Sequence, residues 1–120
     1  MDINRLFNID GKTALITGGS RGIGEMIAAG FLANGVKVYI TARKEAPLLE
    51  KAKELSEKFN GECIAIPCDL SNMEGIQKLA SDYLNHEDSL DILVNNAGAA
   101  WGEPYENFSE KGWDKVMDTN

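Results

Sequence analysis

Cysteine, histidine and clustered basic charge are all scarce in this sequence. Two cysteines, Cys63 and Cys68, are too few for a disulfide framework and read as reduced, buried thiols. A metal centre needs further ligands. The single histidine, His86, sits in the polar run Asn85-His86-Glu87-Asp88 and reads as a solvated loop residue, so no metal is expected. Basic residues number 12 against 19 acidic ones, a net charge of -7 with no basic run. That excludes the clustered lysine and arginine a nucleic-acid surface needs, and the acidic balance favours solubility. No apolar run approaches the roughly 20 residues of a membrane span. The first one, Ala14 to Thr17, is also too short for a signal peptide. Neither nucleic acid nor a membrane is an expected partner, and the expected location is cytoplasmic.

What is present is an alternation. The 120 residues suffice for one domain with a real core. Asp10-Gly11 marks a turn, and the almost wholly apolar Thr13–Thr17 reads as a central parallel strand covered on both faces. A helix is expected from about Gly22 to Asn34, with Ile23, Ile27 and Phe31 as its apolar stripe and Met26 and Ala33 beside it. Asn34-Gly35 ends it. Val36–Thr41 gives a second strand, and about Pro47–Phe59 a second helix burying Leu48, Ala52, Leu55 and Phe59. Cys63–Ile66 is a third strand whose pairing Pro67 is expected to end. Ser71-Asn72-Met73-Glu74 fits a capping box for a third helix with Ile76, Leu79, Ala80, Tyr83 and Leu84 on one face. Leu90–Val94 is a fourth strand, and Ser109 caps a last helix carrying Trp113, Val116 and Met117. Strands alternating with helices predict the α/β class: a Rossmann-type, doubly wound parallel sheet of strand order 3-2-1-4.

Chemistry concentrates at the strand ends. Thr17-Gly18-Gly19-Ser20-Arg21-Gly22-Ile23-Gly24 leads from the first strand into the first helix. Glycines let backbone amides approach an anion, and the helix N-terminus favours its charge. Gly18 suits a tight turn, Gly22 a close backbone approach and Gly24 helix-to-strand packing. The second strand ends in Thr41-Ala42-Arg43-Lys44, with no acid until Glu45. An acid there would hold a ribose 2′-hydroxyl, whereas an arginine accommodates a 2′-phosphate. Arg21 and Arg43 therefore favour NADP over NAD, unless Arg43 and Lys44 are only solvated loop charges. Asp69-Leu70 follows the third strand. Asp69 is either an acceptor for the adenine amine or a turn residue before the next cap. In Asn95-Asn96-Ala97-Gly98, one amide can brace strand backbone while the other lines a cofactor cleft, and Ala97 and Gly98 leave room for a ring or ribose.

Together these residues resemble the short-chain dehydrogenase/reductases, and within them the NADPH-dependent 3-oxoacyl reductases. Thr17 to Gly24 is similar to the family's cofactor motif, Asp69-Leu70 to its adenine contact, and Asn95-Asn96-Ala97-Gly98 to its fourth-strand signature, while Gly18 to Gly24 and the segment Trp101-Gly102 to Trp113 resemble the 3-oxoacyl reductases. Asn120 matches the asparagine of the catalytic tetrad, which holds a water in a proton relay. It reads equally as an exposed terminal residue. The resemblance implies hydride transfer between NADP(H) and a carbonyl or hydroxyl substrate, a 3-oxoacyl thioester or other ketone. It also implies a homo-oligomer, a dimer or tetramer. A non-catalytic nucleotide-binding or interaction module is the alternative.

The family's serine and its Tyr-x-x-x-Lys pair are absent from this sequence: Tyr39, Tyr83 and Tyr105 are not followed by lysine at that spacing. Residues 1–120 therefore read as the N-terminal part of a single cofactor-binding domain in a longer enzyme. Expressed alone, they are expected to aggregate, to bind NADPH weakly by calorimetry and to show no reductase activity. A soluble monomer with tight NADPH binding would contradict this.

Overall fold

The computed structural model describes residues 8–20 and 22–96. Seven elements alternate strictly: β1 (Thr13–Thr17), α1 (Gly22–Ala33), β2 (Lys37–Ala42), α2 (Glu45–Phe59), β3 (Cys63–Pro67), α3 (Met73–Leu84) and β4 (Ile92–Asn95). The four strands form one sheet in the order β3-β2-β1-β4, all parallel, as the sequence predicts. Registry is continuous, from Thr13 opposite Lys37 to Thr17 opposite Thr41.

Both faces of the sheet are covered. On one, Ala14, Ile16, Val38 and Ile40 pack under α1 and α2. On the other, Leu15, Tyr39 and Ile66 pack under α3. Residues of β1 and β2 alternate between these two cores, yet nearly all are apolar or buried, because neither face meets water. Among the described residues, no helix is long and apolar enough to cross a membrane.

Several boundaries differ from the sequence reading. The face of α1 is turned by one residue. Gly24, Ala28 and Leu32 are buried, and Ile27 and Phe31 pack half-buried against the same core, while Ile23 and Met26 are 67% and 73% exposed. Close packing on a sheet selects small side chains, and a hydrophobic period cannot register a glycine. Helix α2 starts two residues before Pro47, which its first turn tolerates because no intrahelical donor is needed there. The cap of α3 is Asn72 rather than Ser71: its Oδ1 accepts from the Gly75 amide at 2.7 Å. Pairing in β3 runs through Pro67, opposite Ala42. The Cys68 amide donates to the Ala42 carbonyl, so alternation points the proline nitrogen away from β2 and no ladder bond is lost. β2 and β4 are each displaced toward the C-terminus, ending at Ala42 and Asn95. The last expected helix lies outside the described residues.

A polar network closes the end of the sheet where β2 begins. Tyr39 and Tyr83 meet edge to face, ring centroids 5.0 Å apart. The Tyr39 hydroxyl donates to Glu87, and Lys37 Nζ lies 2.7 Å from the same carboxylate. Tyr83 donates to the Ser89 carbonyl. The Thr13 amide donates to Asp91 Oδ2 at 2.9 Å. Burial and the hydrogen bond to Glu87 push the Tyr39 phenol well above its usual range, so it stays a donor. Burial works against the Glu87 charge, but Lys37 and Tyr39 outweigh it and hold the carboxyl below its usual range. His86 is exposed, with its ring 5.9 Å from that of Tyr39.

Two outcomes are expected. A Cβ on Gly24 would collide with the Gly18 carbonyl oxygen and stand 2.7 Å from Asn96 Nδ2. Gly24→Ala should therefore destabilise the protein by about 2 kcal/mol in urea unfolding, the usual size of an overpacking penalty. Glu87→Gln should cost about 2 kcal/mol at neutral pH, since it weakens hydrogen bonds to a charged group. Because the folded carboxyl titrates below its unfolded value, its contribution is complete above the ordinary carboxylate range. It is lost as pH falls through the folded value. Unfolding curves of the two proteins should thus converge on acidification, and a constant gap would contradict the assignment.

Candidate functional site

The C-terminal ends of β1, β2 and β3 open on one cleft of about 760 Å³, within the size range of small-molecule sites. Gly18, at φ 70°, turns the chain out of β1, and Gly22, at φ 62°, turns it into α1. Both conformations favour glycine. The Gly18 amide is tied to the Thr41 carbonyl at 3.0 Å, which fixes the loop against β2. Beyond the loop, α1 begins with exposed Gly22 and Ile23.

Beneath the loop lies a knot of hydrogen bonds. Thr17 is fully buried. Its hydroxyl accepts from the Asn96 amide at 2.8 Å and donates to Asn95 Oδ1 at 3.1 Å. Asn96 Nδ2 in turn donates to the Gly18 carbonyl at 3.3 Å. Thr17 therefore stands behind the loop rather than on the cleft surface. Both adjacent asparagines are engaged with the end of β1. Asn96 is exposed, and neither it nor Gly22, Ile23 and Gly24 is among the residues that line the cleft.

Ser20, Arg43, Asp69 and Leu70 line the cleft together with Gly18, as the sequence predicts for a common site. Arg43 and Lys44 leave β2 exposed to solvent. Asp69 Oδ1 accepts from the Ser71 amide at 2.9 Å, so the turn reading of this residue is realised while it also borders the cleft. The Ser71 hydrogen bonds, helped by the Arg43 charge, hold its carboxyl below the usual range. Asp69 is thus an ionised acceptor facing a cation across the opening.

The sequence reading did not single out the floor or the outer wall. Thr41 and Cys68 form the floor. Among the described residues, none satisfies the buried Thr41 hydroxyl with a geometric hydrogen bond, and the group beside it is the Cys68 thiol. Burial pushes Cys68 up to about 11 and Cys63 up to about 12, so both stay neutral thiols. Pro47, Glu50, Lys51 and Glu54 form the wall. Their helical spacing was available as a signal, but nothing in the sequence says that this face of α2 meets the cleft. Arg21, Ala97, Gly98 and Asn120 lie outside the described residues.

A family model for short chain dehydrogenases matches residues 12–120. The rhamnolipid-biosynthesis 3-oxoacyl-(acyl-carrier-protein) reductase of Pseudomonas aeruginosa is 47% identical over 114 residues, covering 95% of this chain and 44% of that protein. Among solved structures, the Pseudomonas aeruginosa RhlG/NADP active-site complex superposes with a TM-score of 0.72 at 44% identity, over 92% of this chain and 40% of that one. L-Sorbose reductase from Gluconobacter frateurii, complexed with NADPH and L-sorbose, superposes with a TM-score of 0.73 at 35% identity, over 90% and 41%. The chain thus spans less than half the length of these relatives. With a glycine loop, strand order and family match that agree over nearly its whole length, this chain belongs to the short-chain dehydrogenase family.

Proposed function

We propose that this chain is the NADP(H)-binding part of a carbonyl reductase: residues 1–120 form the N-terminal portion of a single Rossmann-type domain in a longer polypeptide. One observation carries the reading. At the cleft, β2 gives way to Arg43 and Lys44, with no carboxylate where a ribose 2′-hydroxyl would be held. The NADP and NADPH complexes of the two structural relatives support it.

The residues present fit such a cofactor. Positive-φ glycines at 18 and 22 bare the backbone beside the N-terminus of α1, which favours a diphosphate. Arg43 and Lys44, joined by Arg21 in this reading, hold the 2′-phosphate through charge-assisted hydrogen bonds. Asp69 is ionised and accepts from the adenine amine. Asn96 fixes the loop through Gly18, and the small residues Ala97 and Gly98 that follow it in sequence suit a ring or ribose. When bound, NADPH supplies a hydride to a carbonyl carbon. By resemblance, Asn120 holds a water in the proton relay, and the serine, tyrosine and lysine that complete the site lie further along the longer polypeptide. A ketone or 3-oxoacyl thioester substrate and a cytoplasmic homo-oligomer belong to the same proposal and rest on the resemblance and the named relatives.

Removing the Arg43 guanidinium from the protein should weaken NADPH binding about tenfold or more, the usual loss for a charge-assisted contact, and leave NADH nearly unchanged. Titrations of wild type, Arg43→Ala and Arg21→Ala/Arg43→Ala with both cofactors check this. Equal losses for NADPH and NADH would overturn the assignment. A screen of 3-oxoacyl thioesters, ketones, sugars and steroids then identifies the substrate. NADPH binding with no turnover on any of them would return the non-catalytic module.

A further inference from the structure

Lys51 has no role in the site as described, yet it stands where charge matters. Its ammonium lies 3.2 Å from Glu25 Oε1 on α1 and 3.1 Å from Glu54 Oε2 on α2. It also lines the cleft. Glu25 belongs to the first turn of α1, the turn whose N-terminus favours an anion. Glu50 and Glu54 are on the cleft wall itself. The Lys51–Glu54 pair is open to solvent, with Glu54 57% exposed, and contributes little to stability. The half-buried pair with Glu25 joins α2 to α1, but a clamp alone does not account for a cation on the cleft wall.

Charge balance gives a better one. Among the described residues, Arg43, Lys44 and Lys51 face Glu50, Glu54 and Asp69 around the cleft, three cations against three carboxylates. Glu25 adds a fourth carboxylate and Arg21, in the reading above, a fourth cation. Without Lys51 this set is net negative, and Glu25 and Glu54 both lose their partner. A cofactor with a 2′-phosphate carries roughly two more negative charges than one without, so it suffers most from that imbalance.

We propose that Lys51 is a specificity-determining positioning residue. Held between Glu25 and Glu54, it cancels the acidic wall and lets the cleft accept a 2′-phosphorylated dinucleotide. The inference rests on the NADP(H) reading above. It differs from the part played by Arg43 in that Lys51 acts through its two carboxylate partners and not through a contact of its own with the phosphate.

The test uses the protein with NADPH and NADH, titrated at low salt, in five forms: wild type, Lys51→Met, Lys51→Arg, Glu25→Gln/Glu54→Gln, and Lys51→Met combined with the two glutamate changes. Lys51→Met should weaken NADPH about fivefold and NADH less than about twofold, the size expected of uncompensated charges across solvent-exposed distances. The triple variant should recover NADPH binding to near the wild-type value, because the carboxylates that Lys51 offsets are gone. Lys51→Arg should keep the wild-type preference, and the Tm of every form should stay close to that of wild type. Equal weakening of both cofactors by Lys51→Met would overturn the proposal, as would a triple variant no better than Lys51→Met. If Arg43→Ala discriminates between the cofactors and Lys51→Met does not, only this inference falls. If the wild-type protein shows no preference for NADPH, both readings fall.

Discussion

One buried hydroxyl holds the functional end of this fold together. Thr17 Oγ1 bonds the main chain of Asn96 and the side chain of Asn95, so the ends of β1 and β4 are pinned at a single atom. The glycine loop is laid over that atom, and α1 is pressed onto the loop where Gly24 leaves no room for a methyl group. Each layer fixes the next. A phosphate cradle needs amides that point in a fixed direction before the ligand arrives, and a rigid support under the loop provides it.

The two ends of the sheet are built on opposite principles. At the N-terminal ends of the strands, side chains satisfy one another: Tyr39, Lys37 and Glu87 form a closed set, and Tyr83 bonds the chain that leads into β4. At the C-terminal ends, Ser20, Arg43 and Asp69 border open space. Stability is concentrated at one end, and polar capacity is kept for a ligand at the other. Open α/β sheets place their crevices at this end because the crossovers from strand to helix diverge there.

Much of this was legible in the sequence. Strands buried on both faces read as unbroken apolar runs, so Thr13–Thr17 and the order of elements followed directly. Gly18, Ser20, Arg43 and Asp69 line one cleft because each closely follows a strand, whereas Gly22, Ile23, Gly24 and Asn96 are not among its lining residues. What escaped detection depends on fit or on distant pairing. Of the stripe expected on α1, Ile27 and Phe31 do pack against the core, but the contact at Gly24 was missed because glycine has no hydrophobic signal. Asn72 and Ser71 are both good caps, and only the turn at Asp69 decides between them. Thr41 and Cys68 meet through the register of β2 and β3, and Lys51 reaches Glu25 from a different helix. Tyr39 and Glu87 are 48 residues apart.

Pro67 has a consequence beyond its own strand. Its ring nitrogen faces the outer side of β3, where an incoming chain would look for a donor, so that border of the sheet offers an interrupted ladder. Among the described residues β4 carries no proline, and all four of its residues are half-buried. The two borders of the sheet therefore differ: an incoming strand would meet a gap in the donors at β3 and none at β4, so the proline discourages edge-to-edge association with other chains on the β3 side.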